Sequence, residues 1–129
     1  MILLFDSTGL VSQQVERKLR RRLPGVELES QPSFPACYQR LSRLRDAGVI
    51  VILAAESREQ LIEFRKLRDL FIELKIILVL PDHESETVHL AHQLYPRYIG
   101  YVDAPPDDLV AVAARMHAKS PPRYQSPPV

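Results

Sequence analysis

Four carboxylates come at or just after the ends of apolar runs, and they are the residues best placed to do chemistry. They are Asp6, Glu56, Asp82 and Asp103. If the apolar runs are parallel strands, their C-terminal ends meet at one edge of a sheet, and the four acids form a rim there. Carboxylate oxygens are the ligands that Mg²⁺ and Ca²⁺ prefer, so the rim is a candidate divalent-cation site. The helix N-terminus that follows each strand also favours an acid, so a structural role is the alternative.

Histidines form a second group with possible metal chemistry. His89 and His92 are three residues apart, which places both imidazoles on one face of a helix. Zinc would need a third ligand, for which His83 and Glu86 are the candidates. Polar residues on a solvated helix face are the commoner meaning of this spacing, so we assign no metal site to the histidines.

A basic segment, RKLRRRL at residues 17–23, carries five cationic side chains in seven positions. Leu19 and Leu23 indicate that the same helix also has a buried stripe. The segment is either a solvated face or a docking patch for an acidic protein or nucleic acid. Because the formal net charge of the chain is only +1, we do not expect nucleic acid as a partner.

Composition favours a single cytoplasmic domain without catalytic machinery. The 129 residues are 46% hydrophobic and 26% charged, which is ordinary for a globular domain. The single cysteine, Cys37, cannot form an internal disulfide and fits a reducing compartment. The apolar run at the N-terminus is too short to span a membrane, so we expect no membrane association. No nucleophile, base and orienting group can be assembled from the motifs, so we do not expect an enzyme.

Apolar runs with strand character alternate five times with segments of helical period. Such alternation is typical of a parallel sheet covered by helices on both faces. We therefore predict an α/β, three-layer flavodoxin-like fold, with a five-stranded parallel sheet of order 2-1-3-4-5, over residues 1–118. Residues 119–129, KSPPRYQSPPV, form a Pro-rich tail. The predicted strands are residues 1–6, 26–30, 49–55, 75–82 and 98–104, and the predicted helices are residues 7–23, 35–48, 57–74, 85–95 and 105–118.

The order of these motifs resembles that of receiver domains of bacterial response regulators, the CheY-like family, over residues 1–118. In that family the first strand ends in two acids that hold Mg²⁺, the third in the aspartate that is phosphorylated, and the fourth in Ser or Thr. The fifth strand ends in an aromatic residue followed by Lys-Pro. Here ILLFDS, GVIVILA, IILVLPD and YVDAPPDDL occupy the matching places. The matching residues are Asp6 and Ser7 for the acids, Ala54 (or Leu53, if the register slips) for the acceptor, Leu80 or Pro81 for the hydroxyl, Tyr101 for the aromatic, Ala104 for the lysine and Pro105 for the proline.

This resemblance implies a degenerate phosphorylation site, that is, a pseudo-receiver. Phosphoryl transfer to a carboxylate needs the carboxylate, a cation, and the lysine and hydroxyl that hold the product. Ala54 provides no nucleophile, and Ser7 and Ala104 depart from the family at two further positions. The implied function is a non-phosphorylatable receiver-like signalling or regulatory module that acts through a protein partner or through itself. The alternative is a domain that binds a small ligand or a divalent cation at the strand-end rim, with Mg²⁺ as the cofactor considered.

The resemblance also implies an interaction surface on the side of the fourth and fifth helices. In receivers the aromatic residue of the fifth strand, here Tyr101, changes rotamer on phosphorylation and alters this side. Val110 and Val112 lie close to it in sequence, and a homodimer through this side is the expected self-association. By the same resemblance, the Ala104–Pro105 peptide bond is a candidate cis bond.

Overall fold

The structure, a computed structural model, describes residues 1–7, 9, 11–44, 48–70 and 74–119. Strands and helices alternate along this part of the chain, as the sequence predicts. The strands are β1 (Ile2–Asp6), β2 (Leu28–Gln31), β3 (Ile50–Ala54), β4 (Lys75–Leu80) and β5 (Tyr98–Tyr101). The helices are α1 (Ser12–Arg22), α2 (Phe34–Arg43), α3 (Arg58–Leu70), α4 (Ser85–His92) and α5 (Asp107–Lys119).

The strands form one parallel sheet of order β2-β1-β3-β4-β5, which confirms the predicted flavodoxin-like fold. The central strand, β3, lies between β1 and β4, and its last residue, Ala54, is opposite Asp6 and Val79 in the register. Side chains alternate between the two faces of a strand, and both faces of β3 are covered. A strand buried on both faces needs an unbroken apolar run, which explains why GVIVILAA contains no polar residue.

Two hydrophobic cores lie on the two faces of the sheet. Leu3 and Phe5 point into the core beneath α2, α3 and α4, whereas Ile2 points into the core beneath α1 and α5. In the first core Phe5, Phe34 and Phe64 pack ring against ring, with centroids 5.4 to 6.3 Å apart. Among the helices of the described residues, none has both the length and the apolar character needed to cross a membrane.

The helical periodicity predicted that the first helix begins at residue 7. In the structure it begins at Ser12. The preceding loop turns at Gly9, which has a positive φ of 71° and donates its N–H to the carbonyl oxygen of Asp6 (3.3 Å). Glycine adopts this left-handed conformation without the strain that a side chain would cause. The turn therefore interrupts the helical period and delays the start of α1.

The ends of α2 and α5 also differ from the predicted bounds. The chain leaves α2 after Arg43, because Leu44 is extended (φ −89°, ψ 123°), and residues 45–47 lie outside the described residues. The last helix continues through Lys119, the first residue that we assigned to the Pro-rich tail. The other tail residues, 120–129, lie outside the described residues.

Candidate functional site

The acceptor position of the predicted phosphorylation site is a closed apolar position. Ala54 and Ala55, at and just after the end of β3, are both 0% exposed, and so is Leu53. The backbone N–H of Ala55 donates to the carbonyl oxygen of Val79 on β4 (3.0 Å), which continues the sheet pairing past the strand end. A methyl group has no lone pair to attack phosphorus, so this position contains no nucleophile.

Asp6, at the end of β1, caps α1. Its Oδ2 accepts hydrogen bonds from the backbone N–H groups of Val11 (2.8 Å) and Ser12 (3.0 Å). Val11, at the N-cap position, has no side-chain acceptor of its own. The Asp6 carboxylate therefore provides both the acceptor and the negative charge that a helix N-terminus favours. Oδ2 of Asp6 is thus engaged by the backbone of the helix start.

Ser7, at the second acid position, connects the end of β1 to the start of α3. Its hydroxyl donates to Oε1 of Gln60 (2.9 Å), and the backbone N–H of Glu56 donates to the same oxygen (2.8 Å). Gln60 also donates its own backbone N–H to Oγ of Ser57 (3.3 Å). The Glu56 side chain is exposed. Gln60 thus joins two loops of the strand-end rim, and its sequence position gave no signal for the contact with Ser7.

Asp82 is fixed at the start of α4. A hydrogen bond with the Thr87 side chain lowers the pKa of Asp82 from its ordinary value, and the backbone N–H of Glu84 and nearby positive charges lower it further. The bond from Glu84 to Oδ1 is 2.9 Å long. Thr87 is fully buried. Leu80 and Pro81, the two candidates for the position of the family's hydroxyl, have no hydroxyl to offer a phosphoryl group. The buried hydroxyl of Thr87 bonds to Asp82.

Arg58, the first residue of α3, ties α3 to α4. Its Nε donates to Oγ1 of Thr87 (3.0 Å), and its terminal nitrogens pair with Glu86 (2.6 Å) and with Glu84. At the other end of α3, Arg68 donates to two backbone carbonyl oxygens that follow α4 (2.8 and 3.2 Å). The two helices are therefore connected by arginine at both ends, a feature that residue spacing did not predict.

Asp103 and Tyr101 both contact His83. The Nε2 atom of His83 lies 3.1 and 3.2 Å from the two carboxylate oxygens of Asp103. The imidazole stacks on the ring of Tyr101, with centroids 3.7 Å apart and planes 14° from parallel. Ala104, at the position of the family's lysine, is exposed and has no ammonium group. Its peptide bond to Pro105 is trans, so the cis bond that the resemblance suggested is not found.

Three of the four acids of the predicted rim bond to different parts of the fold. Asp6, Asp82 and Asp103 have separate local partners. Within the described ranges, no group of three or more His, Cys, Asp or Glu side chains is arranged to hold a metal ion. His89, to which the sequence assigned no metal site, contacts the side-chain amide of Gln93 (3.3 Å). The structure therefore does not assemble the candidate cation site or a zinc site.

The predicted interaction surface is wrong at one residue. Val110 is 4% exposed and packs into the core between α5, α1 and the sheet, so it offers almost no surface to a partner on the α4 and α5 side. It faces inward because the buried stripe of α5 includes it, together with Leu109, Ala113 and Ala114. Val112 is half-buried, as is Tyr101 beneath the imidazole of His83.

A cavity of about 560 Å³ opens beside the strand ends, between α1 and the loop that joins β5 to α5. Its apolar wall includes Val11, Val79, Tyr98 and Leu109. This volume lies in the range of pockets that hold a small molecule or a few side chains. The wall combines three parts of the chain that are far apart in sequence, which is why no motif indicated the cavity.

No protein-family model matches the chain, and no curated protein sequence matches it. Solved structures share its fold at low sequence identity. HP1043, an orphan response regulator of H. pylori, has a TM-score of 0.71 and 12% identity, over 91% of this chain and 96% of that chain. The signal receiver domain of the protein described as response regulator NarL from Mycobacterium tuberculosis has a TM-score of 0.65 and 17% identity, over 92% and 95% of the two chains. A Burkholderia pseudomallei protein described as pilus assembly-related has a TM-score of 0.66 and 22% identity, over 95% and 92%. These similarities show that the chain has the CheY-like receiver fold.

Proposed function

We propose that this chain is a receiver-like signalling or regulatory module that is not phosphorylated and that acts by contact with a protein partner. The receiver fold supports the signalling class, although a fold alone does not fix a function. The observation that carries the proposal is the buried methyl group of Ala54 at the acceptor position. Phosphoryl transfer cannot begin there without an attacking oxygen.

The other positions of the family's site support the same proposal, because each is either used for structure or lacks the functional group. The carboxylate of Asp6 caps α1, and the hydroxyl of Ser7 bonds to Gln60. Pro81 and Ala104 have neither a hydroxyl nor an ammonium group for a phosphorylated product. The edge is thus held in shape by contacts that would have to break before a cation and a phosphoryl group could enter.

A separate protein is favoured over self-association through the α4 and α5 side. Val110 is buried, and Tyr101 is half-covered by His83, so that side has fewer apolar contacts to offer than the sequence suggested. Two structural neighbours, both from Burkholderia, are described as pilus assembly or pilus assembly-related proteins. We therefore propose pilus assembly as the first process in which to look for the partner.

The proposal is tested with a small-molecule phosphoryl donor. The purified protein is incubated with acetyl phosphate and Mg²⁺, in parallel with a receiver domain that has its acceptor aspartate, and both are analysed by intact-mass spectrometry. We expect the phosphoryl adduct on the control receiver and no adduct on this chain. A hydroxylamine-sensitive adduct on this chain would show an acyl phosphate and refute the proposal. Beryllofluoride with Mg²⁺ gives a second readout, because binding at the edge would shift the amide resonances of Asp6 and Ala54.

A further inference from the structure

A continuous groove runs along the face of α1 that looks toward α5. It starts at the 560 Å³ cavity beside the strand ends, continues into a space of about 430 Å³ and ends in one of about 310 Å³. The first two spaces share Gln14, Pro105 and Pro106 in their walls, and the last two share Lys18 and Arg21. We call the three spaces together the α1–α5 groove.

The wall of the α1–α5 groove formed by α1 is basic along one helical face. Gln14, Arg17, Lys18 and Arg21 line it, at spacings of three and four residues that place them on the same side of the helix. Lys18 pairs with Asp107 across the groove (2.7 Å). Arg17 and Arg21 have no ion pair within the described part of the chain, so they present uncompensated positive charge.

The other charged pair of α1 lies away from the groove. Arg20 pairs with Glu16 (3.1 Å) and also donates to the carbonyl oxygen of Leu28 on β2. Positive charges four residues apart, as at Arg17 and Arg21, destabilise a helix unless an anion lies between them. The helix dipole favours cations in the last turn, which offsets this effect for Arg21 but not for Arg17 in the middle of α1. The groove side therefore concentrates charge that the fold itself does not neutralise.

The two ends of the α1–α5 groove differ in chemistry. The end at the strand edge has an apolar wall that includes Val11, Tyr98 and Leu109 below a rim with Asp107 and Asp108. The opposite end is lined by Lys18, Arg21 and Arg22 together with Val110 and Asp107, which pairs with Lys18. From residue 11 to residue 22 an α-helix rises about 16 Å. An extended peptide covers that distance with about five residues. The groove thus matches a short segment with an apolar side chain at one end and carboxylates at the other.

We propose that the α1–α5 groove binds an acidic linear segment of a partner protein, with an apolar side chain in the 560 Å³ cavity and carboxylates against Arg17 and Arg21. This inference rests on the proposed function and specifies the chemistry of its partner. Binding of this kind uses charge to select and orient the segment and the apolar contact to hold it.

The charges that line the groove favour this occupant over nucleic acid or a membrane. Asp107 and Asp108 line the cavity end of the groove, where they would repel the continuous phosphates of a nucleic acid. A peptide places its apolar end beside Asp108, and at the basic end of the groove the charge of Asp107 is paired with Lys18. A lipid surface is broad and flat, whereas these basic side chains line a concave space between two elements.

Segments of this same chain also fit the groove poorly. Residues 119–129 contain Lys119 and Arg123 and no acid, so their charge has the wrong sign. The acids at the start of α4, Glu84 and Glu86, are paired with Arg58 and would have to give up those bonds to bind a second copy. A separate acidic protein satisfies the charge without breaking these bonds.

The test uses a fluorescein-labelled peptide, LGDEDE, followed by anisotropy and by amide chemical shifts of the full chain. We expect LGDEDE to bind, with shifts confined to α1, the β5–α5 loop and the start of α5. The neutral peptide LGNQNQ and the peptide GGDEDE, which lacks the apolar anchor, should each bind at least about tenfold more weakly. Binding of LGDEDE should weaken as salt is added, because exposed charges are screened.

The variant R17E/R21E tests whether the basic wall formed by α1 binds the carboxylates of the peptide. Its matched control is R65E/K66E, on the exposed face of α3. All four side chains are exposed, so both variants should keep the fold, which circular dichroism checks. We expect R17E/R21E to weaken LGDEDE binding at least about tenfold and the control to change it by less than about twofold.

Several results would overturn the proposal. These are no binding of LGDEDE at about 1 mM, equal loss of binding in the two variants, or shifts that map outside the groove. Binding of duplex DNA or of phosphatidylglycerol vesicles that is lost in R17E/R21E while LGDEDE does not bind would assign the face to those ligands. Self-association lost in the same variant would assign it to a second copy. Phosphorylation is measured separately, so absence of peptide binding refutes the groove proposal, and an acyl phosphate refutes the proposed function.

Discussion

Replacing Asp6 separates its capping role from a role as a cation ligand. In D6A the N–H groups of Val11 and Ser12 lose the carboxylate oxygen to which they donate. In D6N an amide oxygen can still accept one or both bonds, but the negative charge at the helix N-terminus is gone. The two variants therefore remove different parts of the same interaction, and their order of stability tests the capping geometry.

The expected magnitudes follow from the two bonds. Hydrogen bonds to a charged group contribute about 1.5–3 kcal/mol each, and rehydration of the freed N–H groups at a half-buried helix end lowers the sum, so D6A should lose about 2–3 kcal/mol of the free energy of unfolding. Loss of charge alone at a helix N-terminus costs about 0.5–1 kcal/mol, which is the expected effect of D6N. For a chain of this length each kcal/mol corresponds to roughly 3–5 °C in Tm.

Urea unfolding followed by far-UV circular dichroism measures these differences. The control is E63A, which removes an exposed carboxylate from α3 and should change the free energy of unfolding by less than about 0.5 kcal/mol. Mg²⁺ at about 10 mM should leave the stability of the wild-type protein unchanged, since a ligand stabilises only a state that binds it. The capping argument is refuted if D6A is as stable as E63A, or if Mg²⁺ stabilises the wild type and not D6N.

Three further predictions concern other parts of the fold. R58M removes the bond to buried Thr87 and should cost about 1 kcal/mol and speed amide exchange in α4 but not in α1; equal exchange in both helices would contradict this. Hydrogen bonds from Arg40 lower the pKa of Glu29, so the pair stabilises the fold above the ordinary carboxyl pKa, and this contribution is lost as pH falls through the lowered folded-state value. The free energy of unfolding of R40M should therefore fall less than that of the wild type between about pH 5 and 3. An equal fall in both proteins would show that the pair does not stabilise the fold. Burial raises the pKa of the Cys37 thiol to about 12, so a thiol reagent should label it at about pH 8 only as fast as the protein unfolds, and rapid labelling of the native protein would disprove that burial.

Apolar periodicity predicts the fold because burial affects every residue of an element. The central strand is apolar at each position from Val49 to Ala55, and α3 repeats its buried residues at helical spacing with Leu61, Phe64 and Leu67. Such patterns identify the strands and helices even when their ends are misplaced by a few residues. Right-handed crossovers then leave few possible strand orders, which is why the order could be predicted correctly. Element ends depend on single bonds, and the start of α1 at Ser12 depends on a turn at Gly9 that periodicity does not record.

Side-chain partners at the edge were less predictable, since they join residues distant in sequence. The contact of Ser7 with Gln60 spans 53 positions, and that of His83 with Asp103 spans 20. The α1–α5 groove has the same origin, because its walls come from both ends of the chain. The basic segment at residues 17–23 was visible in the sequence, but the cavity that adjoins it depends on how the β5–α5 loop packs.

Asp6 shows why an acid at a strand end does not by itself predict a cation site. The same position lies next to the end of a strand and the start of a helix, so one carboxylate fits either a metal ion or two backbone N–H groups. A divalent cation needs several oxygens that converge, and one carboxylate alone cannot hold it. At the position where receiver domains have a second acid, this chain has Ser7, and the hydroxyl of Ser7 donates to Gln60. With no second carboxylate beside it, capping α1 is the role that satisfies the charge of Asp6.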